Sequence, residues 1–482
     1  MFRLFHGAAE KPKDEQVGQD ELSTPRFPDE QLKMVHTDDS ENETKSLLRP
    51  FEISKYDWRL AGSNWVTEAR TFYMFSDKGE FILFQLAYTN AGWPLPEACQ
   101  VTARFFDPRM ASTPVDSLGP SEKSHHRSGF LGASSLPKNT SDHRRTPSMQ
   151  VGWITAPQFQ GRRKSLFGRK SEAATDTGHV RESVNQPVSK MKVSSNKTGL
   201  AVGNSTITIV GPSTTVDHTL PILTRDLDPS TPVEKDAIRT VHEGSLLDLD
   251  VLFNPLCEGV SFGDGVISFG PEASDGDIDM RFLPCGTVSG TVMIDKVPRS
   301  FRGLGMGVHQ FQGIRPNLVA SRWNFAYFVS DADNRGERVT FFIIQISTPP
   351  SYGSETVNYA ALYGDNRLLA MSRDGKITPF EPFLDYASGY YIPREFLFEW
   401  TGVTIDGDQF SAHCHTKPNI LCERMNLLDQ LPFVMRKIVE TFVTRPYVYQ
   451  WVDRATLSIS MNGKEESIIG WLYNELAILG DD

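Results

Sequence analysis

GLGMGVHQFQGIRPNLVASRWNFAYFVSDADNRGERVTFFIIQI, residues Gly303–Ile346, is the run that decides the fold. Two β-type apolar segments, Trp323–Val329 and Val339–Ile346, flank the polar turn Asp331-Ala-Asp-Asn-Arg-Gly-Glu337, which is the pattern of a hairpin. The same phrase occurs earlier as TFYMFSDKGEFILFQLAY, Thr71–Tyr88. Setting Gln85 on Gln345 places Phe81 on Phe341, Leu83 on Ile343 and Leu86 on Ile346, and the Ser-Asp and Gly-Glu of each turn recur in order. The chain therefore reads as two diverged copies of one β unit.

Working outward, further strands are expected at Trp65–Phe75, Phe81–Tyr88, Cys99–Phe106, Ser205–Val210, Leu247–Phe253, Val260–Phe269 and Asp279–Leu283. Thr287–Ile294, Ala360–Ala370, Phe396–Trp400, Gln409–His415 and Tyr447–Trp451 follow, and Asn462-Gly463 marks a closing hairpin that ends with Gly470–Leu479. In Phe81-Ile-Leu-Phe84-Gln-Leu86 both alternate faces are apolar, as in a strand covered on two sides. One segment breaks the rhythm. Asn426–Val443 places Leu428, Leu431, Met435, Ile438 and Phe442 at spacings of three and four, which predicts a helix interrupted near its start by Pro432 and lying across a barrel.

With 482 residues, 39% hydrophobic and 11% aromatic, the chain has material for two cores. Its 5 cysteines, Cys99, Cys257, Cys285, Cys414 and Cys422, are odd in number and lack a CxxC, so neither a disulfide framework nor a zinc site is expected and a reducing compartment fits. MFRLFHGAAEKPKDE lacks the apolar run of a signal peptide, which places the protein on the cytosolic side. The net charge of −11 divides unevenly: Arg109–Lys197 holds 15 Lys/Arg against 6 Asp/Glu, a balance of +9, leaving −20 for the rest. An acidic folded body with a basic insert argues against a nucleic-acid-binding fold, so no nucleic-acid partner is expected, while the insert alone could touch anionic surfaces.

Residues 1–50 read as a disordered tail. Phe2, Leu4 and Phe5, with Ala9 and the nearby Arg3, Lys11 and Lys13, are either a short membrane-contact anchor or an ordinary frayed terminus, and bury too little to anchor without a second signal. Residues 110–197, rich in Ser, Thr, Pro and basic side chains, read as a disordered, regulatory insert. Arg162-Arg163-Lys164-Ser165 and Arg144-Arg145-Thr146-Pro147-Ser148 make Ser165 and Ser148 candidate phosphorylation sites for a basophilic kinase, and phosphate there would weaken contact with anionic lipid. An unmodified linker is the alternative for either site.

These residues together resemble the fungal survival-factor family of tandem lipocalin-like proteins. The likeness rests on TFYMFSD near Thr71, Ala103-Arg-Phe-Phe-Asp107, Pro284-Cys285 with Val288–Val292, Gln312-Gly-Ile-Arg-Pro316, Arg322-Trp323-Asn324-Phe325, Thr348-Pro-Pro-Ser-Tyr352-Gly353 and Arg445-Pro446-Tyr447-Val-Tyr449-Gln450. The resemblance covers about residues 51–106 and 205–479, and the insert has no counterpart in it. It implies an all-β protein of two tandem lipocalin-like, calycin-type barrels, at residues 51–280 and 281–482, with one helix in the C-terminal half and the long insert. It also implies ceramide handling between endoplasmic reticulum and Golgi, survival under oxidative stress, and a cytoplasmic protein peripheral on those membranes, with the nucleus left open.

The expected ligand-binding residues are Trp323, Phe325, Tyr327, Phe341, Ile343, Tyr449 and Trp451, lining an interior that hides acyl chains from water. The alternative for each is a side chain that fills a closed core. No catalytic residue, metal or cofactor is expected. Val308-His309-Gln310 resembles the Asp-His-Gln motif of a bacterial carotenoid hydratase family with Val in place of the acid, and so lacks its proton donor. His413-Cys414-His415 is short of ligands for a metal, and Asp275, Asp277 and Asp279 would close a calcium loop with Gly286 where a Glu is needed. The rival to a lipid carrier is a stress-signalling scaffold with closed barrels and a working insert.

Overall fold

The computed structural model describes residues 48–51, 53, 57–60, 65–90, 92, 97–110, 169–174, 179–210, 236–270, 274–333, 336–427 and 446–480. They build two antiparallel sheets. The first contains β1 (Leu48–Phe51), β2 (Val66–Ser76), β3 (Phe81–Asn90), β4 (Ala98–Phe106), β5 (Arg169–Ala174), β6 (His179–Pro187), β7 (Met191–Val193), β8 (Leu200–Val202), β9 (Ser205–Val210), β10 (Ala237–Glu243), β11 (Leu247–Pro255), β12 (Gly259–Phe269), β13 (Gly276–Ile294) and β14 (Val297–Gln312). The second contains β15 (Arg322–Ser330), β16 (Val339–Ser347), β17 (Thr356–Gly364), β18 (Arg367–Ser372), β19 (Lys376–Leu384), β20 (Tyr391–Thr404), β21 (Gln409–Thr416), β22 (Leu421–Asn426), β23 (Tyr447–Met461) and β24 (Lys464–Ile478).

The second sheet closes on itself. Its path β18-β17-β16-β15-β24-β23-β21-β20 returns to β18 through the pairs Ala370↔Thr404 and Met371↔Val403, an eight-stranded ring. The first sheet runs β5-β6-β4-β3-β2-β14-β13-β11-β10-β9-β8-β7. Near its two ends the chain itself makes the link, because β6, next to the edge strand β5, continues through the 3-10 turn Val188–Lys190 into the other edge strand, β7. Each barrel has its own interior. Phe72, Phe84, Phe253 and Leu283 belong to the first, and Phe328, Phe341, Phe398 and Leu457 to the second.

A third core lies between the barrels. Phe75, Phe81, Leu83 and Met306 on the outer face of the first sheet meet Phe325, Tyr327, Ile344 and Tyr473 of the second. Tyr73 lies 5.1 Å from Phe325 and 5.0 Å from Tyr473, and Phe81 stacks on Tyr473 at 5.0 Å. The two copies of the hairpin are therefore the two sides of this junction. The turn of the first copy needs Gly79: its φ is +84°, and a Cβ there would sit 2.2 Å from the Trp471 ring of β24.

The expected all-β architecture with two barrels is observed, and both expected hairpins form. Asp333 holds the second turn, its carboxylate accepting from Glu337 N–H at 2.8 Å. Asn462 and Gly463 both take positive φ, as a two-residue hairpin turn requires.

Several boundaries move. The insert does not run to 197: β6 pairs with β4 along its whole length, from Ala98↔Pro187 to Phe106↔His179, so residues 179–197 belong to the first barrel, and β5 pairs with β6 outside it. The change of sheet falls between Gln312 and Arg322, not at 280/281, because β13 and β14 are bonded to β11 and β2. Asp279–Leu283 and Thr287–Ile294 are one strand. Its register shifts between Leu283 and Gly286, and that irregularity accommodates Pro284, which cannot donate to a ladder. Ala360–Ala370 is two strands split by Asp365-Asn366, both at positive φ. Strand β19 was hidden by Pro379 and Pro382, which an edge strand tolerates. The tail with Phe2, Leu4 and Phe5, the segment with Ser148 and Ser165, and the expected helix from Leu428 onward lie outside the described residues.

Candidate functional site

The interior of the second barrel differs from that of the first in the size of its side chains. Ala326, Ala360, Ala370, Ala412 and Ala455 face it, whereas Ala103 is the one alanine in the first interior among the described residues. Around these small side chains stand aromatic walls. Phe341 lies 4.9 Å from Trp400, Phe396 5.6 Å from Trp451, and Tyr449 stacks on Trp451 at 6.0 Å. Trp400 and Trp451 are each 1% exposed, and their indole N–H groups find no hydrogen-bond partner among the described residues. An unmet buried donor costs about 1–3 kcal/mol, so two of them inside one barrel mark a place where an acceptor belongs.

One end of this interior carries a polar rim. The turn between β19 and β20 places Asp385, fully buried, where Tyr449 Oη donates to its Oδ2 at 2.7 Å and Arg424 to its Oδ1 at 2.9 Å. Burial works to raise the Asp385 carboxyl, yet bonds from Tyr449 and Ser388 and the Arg424 charge hold it below the usual range. Tyr449 is pushed up, first by burial and then by the carboxylate it serves. Tyr386 and Tyr391 of the same end are exposed, at 64% and 67%, and the Tyr390 ring lies 6.1 Å from Tyr447. The site thus runs from an aqueous, tyrosine-rich rim to a depth lined by alanine, phenylalanine and indole.

The structure divides the seven residues expected to line one interior. Phe341, Ile343, Tyr449 and Trp451 face the second barrel's interior. Phe325 and Tyr327 face the junction between barrels, and Trp323 packs against that junction from its margin. Register explains the split: Ala326 pairs with Ile343 and Phe328 with Phe341, so on β15 the even positions point inward. The same parity corrects the repeat alignment. Phe81 and Leu83 face the junction, whereas Phe341 and Ile343 face an interior, so the match of Gln85 to Gln345 equates opposite faces. The sequence reading missed Trp400, Asp385, Arg424 and the alanines. Trp400 alone had a signal, being the last residue of the alternating run Phe396–Trp400.

His309 takes part in a different arrangement, inside the first barrel. Its Nε2 lies 2.7 Å from Glu68 Oε1, and Glu68 also accepts the backbone N–H groups of Arg59 and Leu60. The acid missing from position 308 is thus present on the neighbouring strand. Trp58 covers the pair with its ring 5.5 Å from His309, and Arg70 lies over Trp58. Burial pulls the His309 pKa down to about 4, against the pull of Glu68 and with the help of the Arg70 and Arg281 charges. An unfolded histidine titrates near 6.5, so between these values the unfolded chain holds a proton that the folded one refuses. Stability should therefore rise with pH from about 4 to about 6.5 and be lost as pH falls through that window. In urea titrations across that range, His309→Gln should flatten this slope; an unchanged slope would place the titration elsewhere.

His413 and His415 share the outer face of β21, with Cys414 turned inward, and His415 pairs with Glu395 at 2.8 Å. Asp279 binds Arg59 and Arg281, which occupies it with ion pairs.

Two barrels packed back to back, the second with five alanines facing its interior, make the chain a tandem β-barrel protein. The model of the Svf1 family matches residues 16–125 and 170–479, and the chain belongs to that family. It is 29% identical to the ceramide-binding protein svf-1 of Neurospora crassa over 221 residues, 45% of this chain and 56% of that protein. It is also 29% identical to the ceramide-binding protein svf1 of Emericella nidulans over 245 residues, 50% of this chain and 62% of that one. The chain thus spans little more than half the length of the curated relatives it matches. Among solved structures, a putative AttH from Nitrosomonas europaea is similar at 11% identity and TM-score 0.47, covering 90% of this chain and 98% of that one. A kievitone hydratase from Nectria haematococca is similar at 11% identity and TM-score 0.45, covering 89% and 93%. Similarity at that level carries no statement about activity.

Proposed function

We propose that the protein binds a ceramide-like lipid in its second barrel and carries it between membranes with no covalent step. The observation that carries this reading is the pair of indole donors, Trp400 and Trp451, that find no partner among the described residues, in an interior faced by five alanines. A ceramide has an amide carbonyl and hydroxyls to accept from such donors. Its chains gain about 0.8 kcal/mol for each CH₂ withdrawn from water. Membership of the Svf1 family and the names of the relatives support the same ligand.

The exposed Tyr386 and Tyr391 at the rim suit a membrane-water boundary, where aromatic side chains with a polar tip are favoured, and they support loading through that end. Transfer between endoplasmic reticulum and Golgi, a cytoplasmic and peripheral location, added contact through Phe2, Leu4 and Phe5, control by a kinase at Ser148 and Ser165, and a part in oxidative-stress survival complete the proposal.

Lipid extracted from the purified full chain and identified by mass spectrometry tests it. A carrier yields about one sphingolipid per protein, and protein stripped of lipid takes ceramide back from vesicles. Protein that carries none and takes up none would leave the barrels as closed bodies of a scaffold.

A further inference from the structure

Three side chains that the lipid reading does not use meet in the first barrel. Ser205 opens β9 and stands directly opposite His242 of β10. Glu182 comes from β6, which the chain's crossing from one sheet edge to the other brings beside them. Ser205 Oγ lies 2.8 Å from His242 Nδ1, and His242 Nε2 lies 3.0 Å from Glu182 Oε2. The other oxygen of Glu182 accepts from Ser245 N–H at 2.8 Å, Ser245 Oγ–H at 2.5 Å and Leu246 N–H at 3.1 Å.

This chain of bonds fixes the proton positions. Burial would raise the Glu182 carboxyl, but bonds from His242, Ser245 and Leu246 draw it down to about 2, so it is a carboxylate. A carboxylate only accepts, so the His242 nitrogen that faces it, Nε2, carries a proton. The lone pair of Nδ1 then faces Ser205, whose hydroxyl donates to it. The ring nitrogens are exchanged relative to a Ser-His-Asp triad, where Nε2 is the base and the carboxylate holds Nδ1–H, so here Nδ1 is the nitrogen placed to take the serine proton.

A cavity of about 230 Å³ borders both Ser205 and His242. Val101, Val184 and Val202 line it, together with the polar Gln186 and Lys190. Pockets for drug-sized ligands run to about 300–1,000 Å³, so this one excludes a two-chained lipid and admits a small molecule.

We propose that Ser205 is a nucleophile for acyl transfer from small carboxylic esters, with His242 as its base and Glu182 as the positioning carboxylate. Ser205 Oγ bonds to the ester carbonyl carbon while its proton passes to His242 Nδ1. The tetrahedral adduct expels the alcohol oxygen, which takes that proton and leaves as the alcohol. Water then attacks the acyl carbon, His242 accepts its proton and returns it to Ser205 Oγ, and the carboxylic acid departs. Gln186 and Lys190 offer donors to the oxyanion. The proposal does not depend on the lipid reading, since the two sites lie in different barrels.

The test uses the full chain with diisopropyl fluorophosphate as the probe and p-nitrophenyl acetate as the substrate. The expected result is one organophosphoryl group on the peptide containing Ser205, read by mass spectrometry, and turnover that the same treatment abolishes. Ser205→Ala should lose labelling and lower turnover about 100-fold or more. Glu182→Gln, which keeps the shape, should lower kcat with KM little changed and alter the pH profile of kcat, as a merely structural role would not. Folded wild-type protein that takes no label, or takes it at another residue, overturns the proposal without recourse to any variant. Equal turnover in Ser205→Ala overturns it as well.

Discussion

Tyr473→Ala is expected to lower the unfolding free energy by about 3–5 kcal/mol, the cost of removing a large buried aromatic. Tyr473 is fully buried at the centre of the junction, stacked on Phe81 at 5.0 Å, with Tyr73 at 5.0 Å and Phe325 at 6.1 Å. Truncation leaves a void that rings from two sheets must share. It also withdraws the hydroxyl that donates to Glu475 Oε2 at 2.6 Å, where burial already raises the carboxyl's pKa. Tyr473→Phe isolates that second effect and should cost about 1–3 kcal/mol. Because the junction belongs to both barrels, urea unfolding of the alanine variant should remain one transition, shifted as a whole. A shift below about 1 kcal/mol, or a second transition left unmoved, would show that the barrels are stabilised separately.

Trp400→Phe with Trp451→Phe should weaken ceramide binding about tenfold to a hundredfold while leaving the lipid-free protein nearly as stable as before. The two effects differ in sign. On the proposed reading each indole N–H donates to the bound lipid, a bond with a net contribution of about 0.5–1.5 kcal/mol. In the empty protein the same N–H is a buried donor with no partner among the described residues, so its removal offsets part of the packing lost with the smaller ring. Binding measured by displacement of a fluorescent ceramide, beside urea unfolding of stripped protein, reads both. Undiminished affinity in the double variant would remove the second interior from consideration as the lipid site.

The hairpins were legible because their signals are local. Asn462-Gly463, the Asp333 turn and the alternation in Val339–Ile346 each specify geometry within a few residues. Which face of a strand points where was not legible. In β16 both faces are apolar, since one fills a barrel and the other the junction, so parity alone could not separate Phe341 from Phe342. The insert's far edge was hidden for a related reason: β6, HVRESVNQP over His179–Pro187, has little of the apolar alternation by which a strand is recognised. The rim built on Asp385 and the set Glu182, Ser205 and His242 left no trace in spacing. Their partners lie 37 to 64 positions apart and are brought together by the sheets.

The two barrels are fastened in unlike ways. In the first, a covalent stretch of backbone, His179–Val193, crosses the gap like a rivet. In the second, the gap between β18 and β20 is held by a clasp of two residue pairs, Ala370↔Thr404 and Met371↔Val403. A rivet yields only when the whole hoop fails, whereas a clasp can spring while the remaining seven seams stay shut. The barrel whose interior is faced by five alanines is the one whose last seam rests on two residue pairs.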